Sequence, residues 1–180
     1  MVSELLMRAH RALPVGALLL GALACSGRSW TSRGTESLDE VVVEIDAQAL
    51  ANFDDRWRTA AKGPAPRGSE ALQDMTGEAR LDIYLGTWCP DSVREVGRFL
   101  RILNEAKELP FAVSFYTLPS DKKVWPRDDR DLRYVPTFIV RKGSEELGRV
   151  VESAPGGIEV ELQALLSGER AGVISGRPDL

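Results

Sequence analysis

The stretch Arg80-Leu81-Asp82-Ile83-Tyr84-Leu85-Gly86-Thr87-Trp88-Cys89-Pro90-Asp91-Ser92 decides the fold. Its first six residues alternate apolar and polar and then run apolar, the signature of a strand. Gly86 to Cys89 interrupts the run. Pro90 suits a first helical turn, where its missing N–H costs nothing. A helix is expected from there to about Lys107, with Val93, Val96, Phe99, Leu100 and Leu103 on one face and Arg94, Glu95, Arg98 and Arg101 on another. The stretch therefore reads as strand, tight turn, helix, with a cysteine at the turn.

The same periodicities organise the rest of the chain. Val41 to Ile45 is a short β-branched run, and Asp46 can cap a helix reaching about Ala61. Gly63-Pro64-Ala65-Pro66-Arg67-Gly68 ends that helix in a loop. Phe111 to Tyr116 reads as a strand, and Ser120 to Arg133 as a polar stretch with room for a short helix. Thr137 to Val140 and Leu147 to Val151 flank Lys142-Gly143-Ser144 as a hairpin, and Ile158 to Leu166 forms a last amphipathic helix. Alternating strands and helices imply an α/β fold with helices on both faces of a central mixed sheet of about five strands. Helical crossovers predict parallel pairing among the first three strands and antiparallel pairing of the last two. The globular domain is expected over 38–168, with 169–180 a loose tail.

Residues 1–25 read as an export signal. Arg8, His10 and Arg11 precede the apolar run Leu13 to Ala24, which is short for a bilayer span. Ala22-Leu23-Ala24 is a cleavage site of the A-x-A kind, releasing a soluble exported protein. A small residue followed by Cys25 also resembles a bacterial lipoprotein signal, with Cys25 lipidated, although Ala22 stands where leucine is usual. In that case 26–37, rich in Ser, Gly, Thr and Arg, is a flexible tether on the periplasmic side of a membrane.

Composition excludes several activities. The chain has 180 residues, 43% hydrophobic and 28% charged, with a net charge of −4 and no basic cluster of the kind nucleic acid requires. It has two cysteines, Cys25 and Cys89, and one histidine, His10, within the signal. Disulfide scaffolds, zinc spacing and Cys-His or Ser-His nucleophilic pairs are thereby excluded. No metal or cofactor is expected. Asp128-Asp129-Arg130-Asp131 lacks the alternating ligands and glycine of a calcium loop and reads as a solvated charged turn. Asp82 reads as an ordinary exposed strand position, and Trp57 and Trp125 as packing residues.

Over roughly Val41 to Leu166 the chain resembles the thioredoxin-like superfamily. The likeness rests on Gly86-Thr87-Trp88-Cys89 leading into a helix, on Tyr134-Val135-Pro136-Thr137-Phe138 as the family's proline loop, and on the hairpin and element order. The resemblance implies a three-layer sandwich, a cis bond before Pro136, and a backbone at Val135 facing the thiol. Cys89, Ser92 and Pro136 become the candidate catalytic residues, and Trp88, Pro90, Val135 and Thr137 the candidate client-binding ones.

Ser92 departs from the dithiol pattern, which has a second cysteine there to resolve the mixed disulfide. Cys89 at a helix start gains from unpaired N–H groups and the helix dipole, both of which favour thiolate. Ser92, one turn on, is placed to donate a hydrogen bond to it. Trp88 is placed to shield the sulfur, and the Asp91 carboxylate opposes the thiolate. Three readings stay open: monothiol exchange with client proteins or a small thiol such as glutathione, a non-catalytic binding domain, and an iron–sulfur or metal site shared between subunits.

Overall fold

The computed structural model describes residues 41–75, 78–106 and 108–180. Cys25 and the stretches expected to be an export signal and a tether lie outside them. The described residues form six strands and four α-helices. They are β1 (Val43–Ile45), α1 (Ala47–Ala51), α2 (Asp55–Ala60), β2 (Ala79–Leu85), α3 (Pro90–Ala106), β3 (Ala112–Thr117), β4 (Thr137–Lys142), β5 (Glu145–Val151), α4 (Ile158–Leu166) and β6 (Gly172–Ser175). Three-residue and four-residue 3-10 turns occupy Lys122–Val124 and Ser69–Leu72.

The helix expected over 46–61 is two helices. Asp46 accepts a hydrogen bond from the Ala49 N–H, and Asp54 accepts from the N–H groups of both Arg56 and Trp57. Two aspartates that each satisfy a helix start divide the segment, because each competes with the backbone ladder between them. The restart turns Trp57 fully into the core.

The strands form one mixed sheet in the order β1-β3-β2-β4-β5-β6. β2 and β3 are parallel, and β4 runs antiparallel to both β2 and β5. β1 corrects an expectation, since it pairs antiparallel with β3 through Val43↔Thr117 and Ile45↔Phe115. The connection from β1 to β2 has more than one leg: the two short helices carry the chain away and the loop after Ala61 brings it back. It therefore returns to the end of the sheet it left, where a single crossover helix would have given parallel strands.

One sheet face presents Leu81, Ile83, Leu85, Phe115, Phe138 and Val140. These pack with Leu50 and Trp57 of α1 and α2, Val96, Phe99 and Leu100 of α3, and Ile158, Leu162 and Leu165 of α4. All four α-helices thus cover this face. The other face carries Tyr84 and Ile139 and is covered by the connection between β3 and β4, through Leu118, Trp125, Leu132 and Val135. Among the described residues no α-helix covers this second face, although helices were expected on both. The covering segment holds only one 3-10 turn, because Asp121 and Asp128 bond the N–H groups two residues on, at Lys123 and Arg130. Such local turns displace a helix ladder.

The tail is also corrected. Gly172 to Ser175 joins the sheet as β6, parallel to β5, in the register Gly148↔Gly172 to Val151↔Ser175. A Cβ at Gly148 would lie 2.5 Å from a Leu165 methyl and 2.7 Å from the Gly172 carbonyl oxygen. The missing side chain is what lets the tail approach.

Candidate functional site at the start of α3

Cys89 stands where β2 turns into α3. Its N–H donates to the Gly86 carbonyl at 3.0 Å, closing the turn, and its carbonyl accepts from the Val93 N–H at 3.1 Å as the first helical bond. The thiol is at the helix cap, beside first-turn N–H groups that have no helical partner. The turn is anchored from α2, where the Trp57 Nε1 and Arg56 Nη2 both donate to the Thr87 carbonyl, at 3.0 and 3.2 Å. Neither anchor has a motif in the sequence; the helix restart at Asp54 creates them.

The structure brings Cys89 together with the loop before β4. The sulfur lies 3.4 Å from the Val135 carbonyl oxygen, to which the thiol donates, and the Val135–Pro136 bond is cis. The Pro136 carbonyl accepts from the Glu152 N–H at 2.8 Å, and the Thr137 hydroxyl donates to the Tyr134 carbonyl at 2.8 Å. Val135, Pro136 and Thr137 are all buried. Pro90, the first residue of α3, is exposed beside the thiol.

Two other expected site residues are placed differently. Ser92 is fully buried, and its oxygen accepts from the Gly86 N–H at 3.1 Å; no hydrogen bond joins it to the sulfur. The Gly86 N–H would otherwise be an unpaired donor at the end of β2, and satisfying it sets where the hydroxyl sits. Trp88 is 38% exposed and donates through Nε1 to the Leu118 carbonyl at 3.1 Å, with its ring over Gly86. A Cβ on Gly86 would come within 2.7 Å of that ring, so glycine is required there. Cys89 belongs to a buried apolar cluster with Tyr84, Leu118, Trp125, Leu132, Val135 and Ile139 and is only 7% exposed. Leu118 and Leu132 were hard to anticipate, being single apolar residues in polar sequence.

The cover is held by polar anchors. The Trp125 Nε1 donates to the Pro119 carbonyl at 2.8 Å. Lys122 donates to the Arg133 carbonyl at 3.0 Å, with its ammonium 5.3 Å from the Trp125 ring centre and 4.6 Å from that of Tyr134. Arg130 pairs with Asp128 and lies over Tyr84. Burial raises the Tyr84 hydroxyl above its ordinary pKa, with Arg130 acting in the opposite direction. The Asp91 carboxylate pairs with Arg94 at 2.5 Å, which offsets its charge at the helix start.

Asp82 is buried rather than exposed. It pairs with Arg80 at 2.9 Å and faces Arg141 at 3.7 Å, while its Oδ1 has no hydrogen-bond partner. β4 sets Arg141 directly across from Arg80, so two guanidinium groups flank the carboxylate. Among the described residues no group of three or more His, Cys, Asp or Glu is arranged to hold a metal ion.

Neither a family model nor a curated protein sequence matches this chain. Solved structures similar to it include the following two. One is a crystal structure of an HIV epitope scaffold, at 21% identity and a TM-score of 0.39, covering 67% of this chain and 74% of the scaffold. The other is a protein of unknown function from Pseudomonas aeruginosa, at 21% identity and a TM-score of 0.40, covering 76% of this chain and 78% of that one.

Proposed function

We propose that this chain is an exported thioredoxin-like protein whose Cys89 carries out monothiol exchange with client proteins or a small thiol such as glutathione. The observation that carries the reading is the meeting of Cys89, at the cap of α3, with the Val135 carbonyl at 3.4 Å. A nucleophile at a helix start and a backbone segment able to pair with an extended client are the two parts that exchange needs.

The chemistry balances without a cofactor. The Cys89 thiolate attacks one sulfur of a client disulfide; a new S–S bond forms, and the client's other sulfur leaves as thiolate. An external thiolate then attacks the client sulfur of the mixed disulfide, releasing Cys89 as thiolate. Ser92 takes no part in release, since its oxygen faces Gly86. Attack requires the cover over Cys89 to yield, because the residue is only 7% exposed.

A second reading, a non-catalytic binding domain, is favoured by the 7% exposure of Cys89. Turnover separates the two. With a fluorogenic peptide disulfide and excess glutathione, the protein should accelerate exchange at least tenfold over glutathione alone, and Cys89→Ser should abolish the gain. Equal rates for the two proteins would leave only the binding reading.

Export, and lipidation at Cys25, are proposed from the sequence of residues 8–25. Labelled palmitate should enter the chain in cells and be lost in Cys25→Ala. Incorporation that persists in Cys25→Ala, or none in either protein, would rule out a lipid anchor at Cys25.

A further inference from the structure

Resting on that exchange reading, we infer that the client presents an acidic segment beside its reactive sulfur and that a cationic cleft in the cover over Cys89 receives it. The cleft has a volume of about 530 Å3, within the range of ligand-sized sites. Lys122, Arg127 and Arg133 supply its cations, and Asp128 and Asp131 its carboxylates. Both carboxylates are already neutralised, Asp128 by Arg130 and Asp131 by Arg133.

What remains is positive. Arg127 is exposed, and among the described residues no carboxylate lies within ion-pair distance of it. Lys122 is held in place by the Arg133 carbonyl and two aromatic rings, none of which neutralises it. These two uncompensated cations line the cleft, whereas the exposed Asp121 and Asp129 of the same segment do not. Such local complementarity selects partners and speeds encounter more than it adds affinity.

The cleft also borders the apolar cluster that holds Cys89. Trp125 and Leu132 line the cleft and belong to the same buried apolar cluster as Cys89. An acidic segment seated between Lys122 and Arg127 would therefore engage the partition that closes the thiol off, placing the neighbouring client sulfur beside Cys89. Glutamate or aspartate side chains of an extended peptide fit this site.

Peptides carrying one cysteine as a mixed disulfide with a chromophoric thiol, flanked by glutamates, serines or lysines, test this with the full chain. The glutamate peptide should react with Cys89 about tenfold faster than the lysine peptide at low salt, and the gap should close at high salt. Arg127→Gln should cut the preference about three- to fivefold, and Lys122→Gln with Arg127→Gln should remove most of it. Far-UV circular dichroism and the unfolding midpoint of each variant, measured alongside, show that it folds. Equal rates for the three peptides, or a preference that survives the double variant, would overturn the inference. If no peptide reacts, the exchange reading fails instead. Docking is then read from fluorescence anisotropy of a labelled glutamate peptide on Cys89→Ser, where binding no tighter than the serine peptide sinks it.

Discussion

At Ser92 a hydroxyl fills the place where a dithiol protein has its second sulfur, and it turns toward the Gly86 N–H rather than toward Cys89. Ser92→Ala should leave that buried donor unpaired and cost about 1–2 kcal/mol in chemical denaturation. The rate of exchange at Cys89 should move less than about twofold, because no bond to the sulfur is lost. A large rate loss with unchanged stability would return the hydroxyl to the thiol. The position of Cys89 was legible in the sequence because strand, turn and helix start are local signals. The orientation of Ser92 was not, since it depends on a backbone N–H six residues away that donates to its oxygen. Asp82 was misread for a similar reason: its burial follows from Arg141, which only the β2–β4 register brings near.

Between α2 and α3 the backbone approach is close, since a Cβ on Gly97 would sit 2.5 Å from that of Ala60. Gly97→Val gains roughly 0.4 kcal/mol in helix propensity but loses more to the clash, and should destabilise by about 2 kcal/mol. Equilibrium unfolding checks this, and an unchanged midpoint would mean that α2 can move aside. The elements themselves were largely readable, down to the hairpin around Gly143. The exceptions came where aspartates recur: Asp54 restarted a helix, and Asp121 and Asp128 kept the cover irregular. Arg130 beside Asp128 lowers that carboxyl's pKa below the usual value. A depressed acid contributes stability that is whole above the unfolded value, about 3.9, and is lost as pH falls through the lower folded value. The Trp125 indole resonance should therefore hold from neutral pH to about pH 5 and shift only below about pH 4. A shift near pH 6 would assign the cover's closure to some other group.

Across the whole sheet the tail has a structural part that composition concealed. Ile174 is buried against the helix-covered core, and Arg170 pairs with Glu161, which is 2% exposed. Ending the chain after Gly168 removes both and leaves β5 as a bare edge. The melting temperature should fall by about 5–10 °C; no change would restore the loose tail. The tail was not legible because Val173-Ile174 is too short a β-branched run to read as a strand without β5 beside it. Likewise the six-stranded order and the single helix-covered face depend on how connections turn, which periodicity does not encode. What the fold achieves is to bring one thiol, one proline loop and one charged cover to the same end of β2. The most direct test of that arrangement is mass spectrometry of the intact chain after exposure to glutathione disulfide. The account predicts one glutathione adduct at Cys89, formed faster in the native than in the unfolded protein and removed by added thiol. A native Cys89 that stays unmodified while the unfolded chain reacts would contradict it.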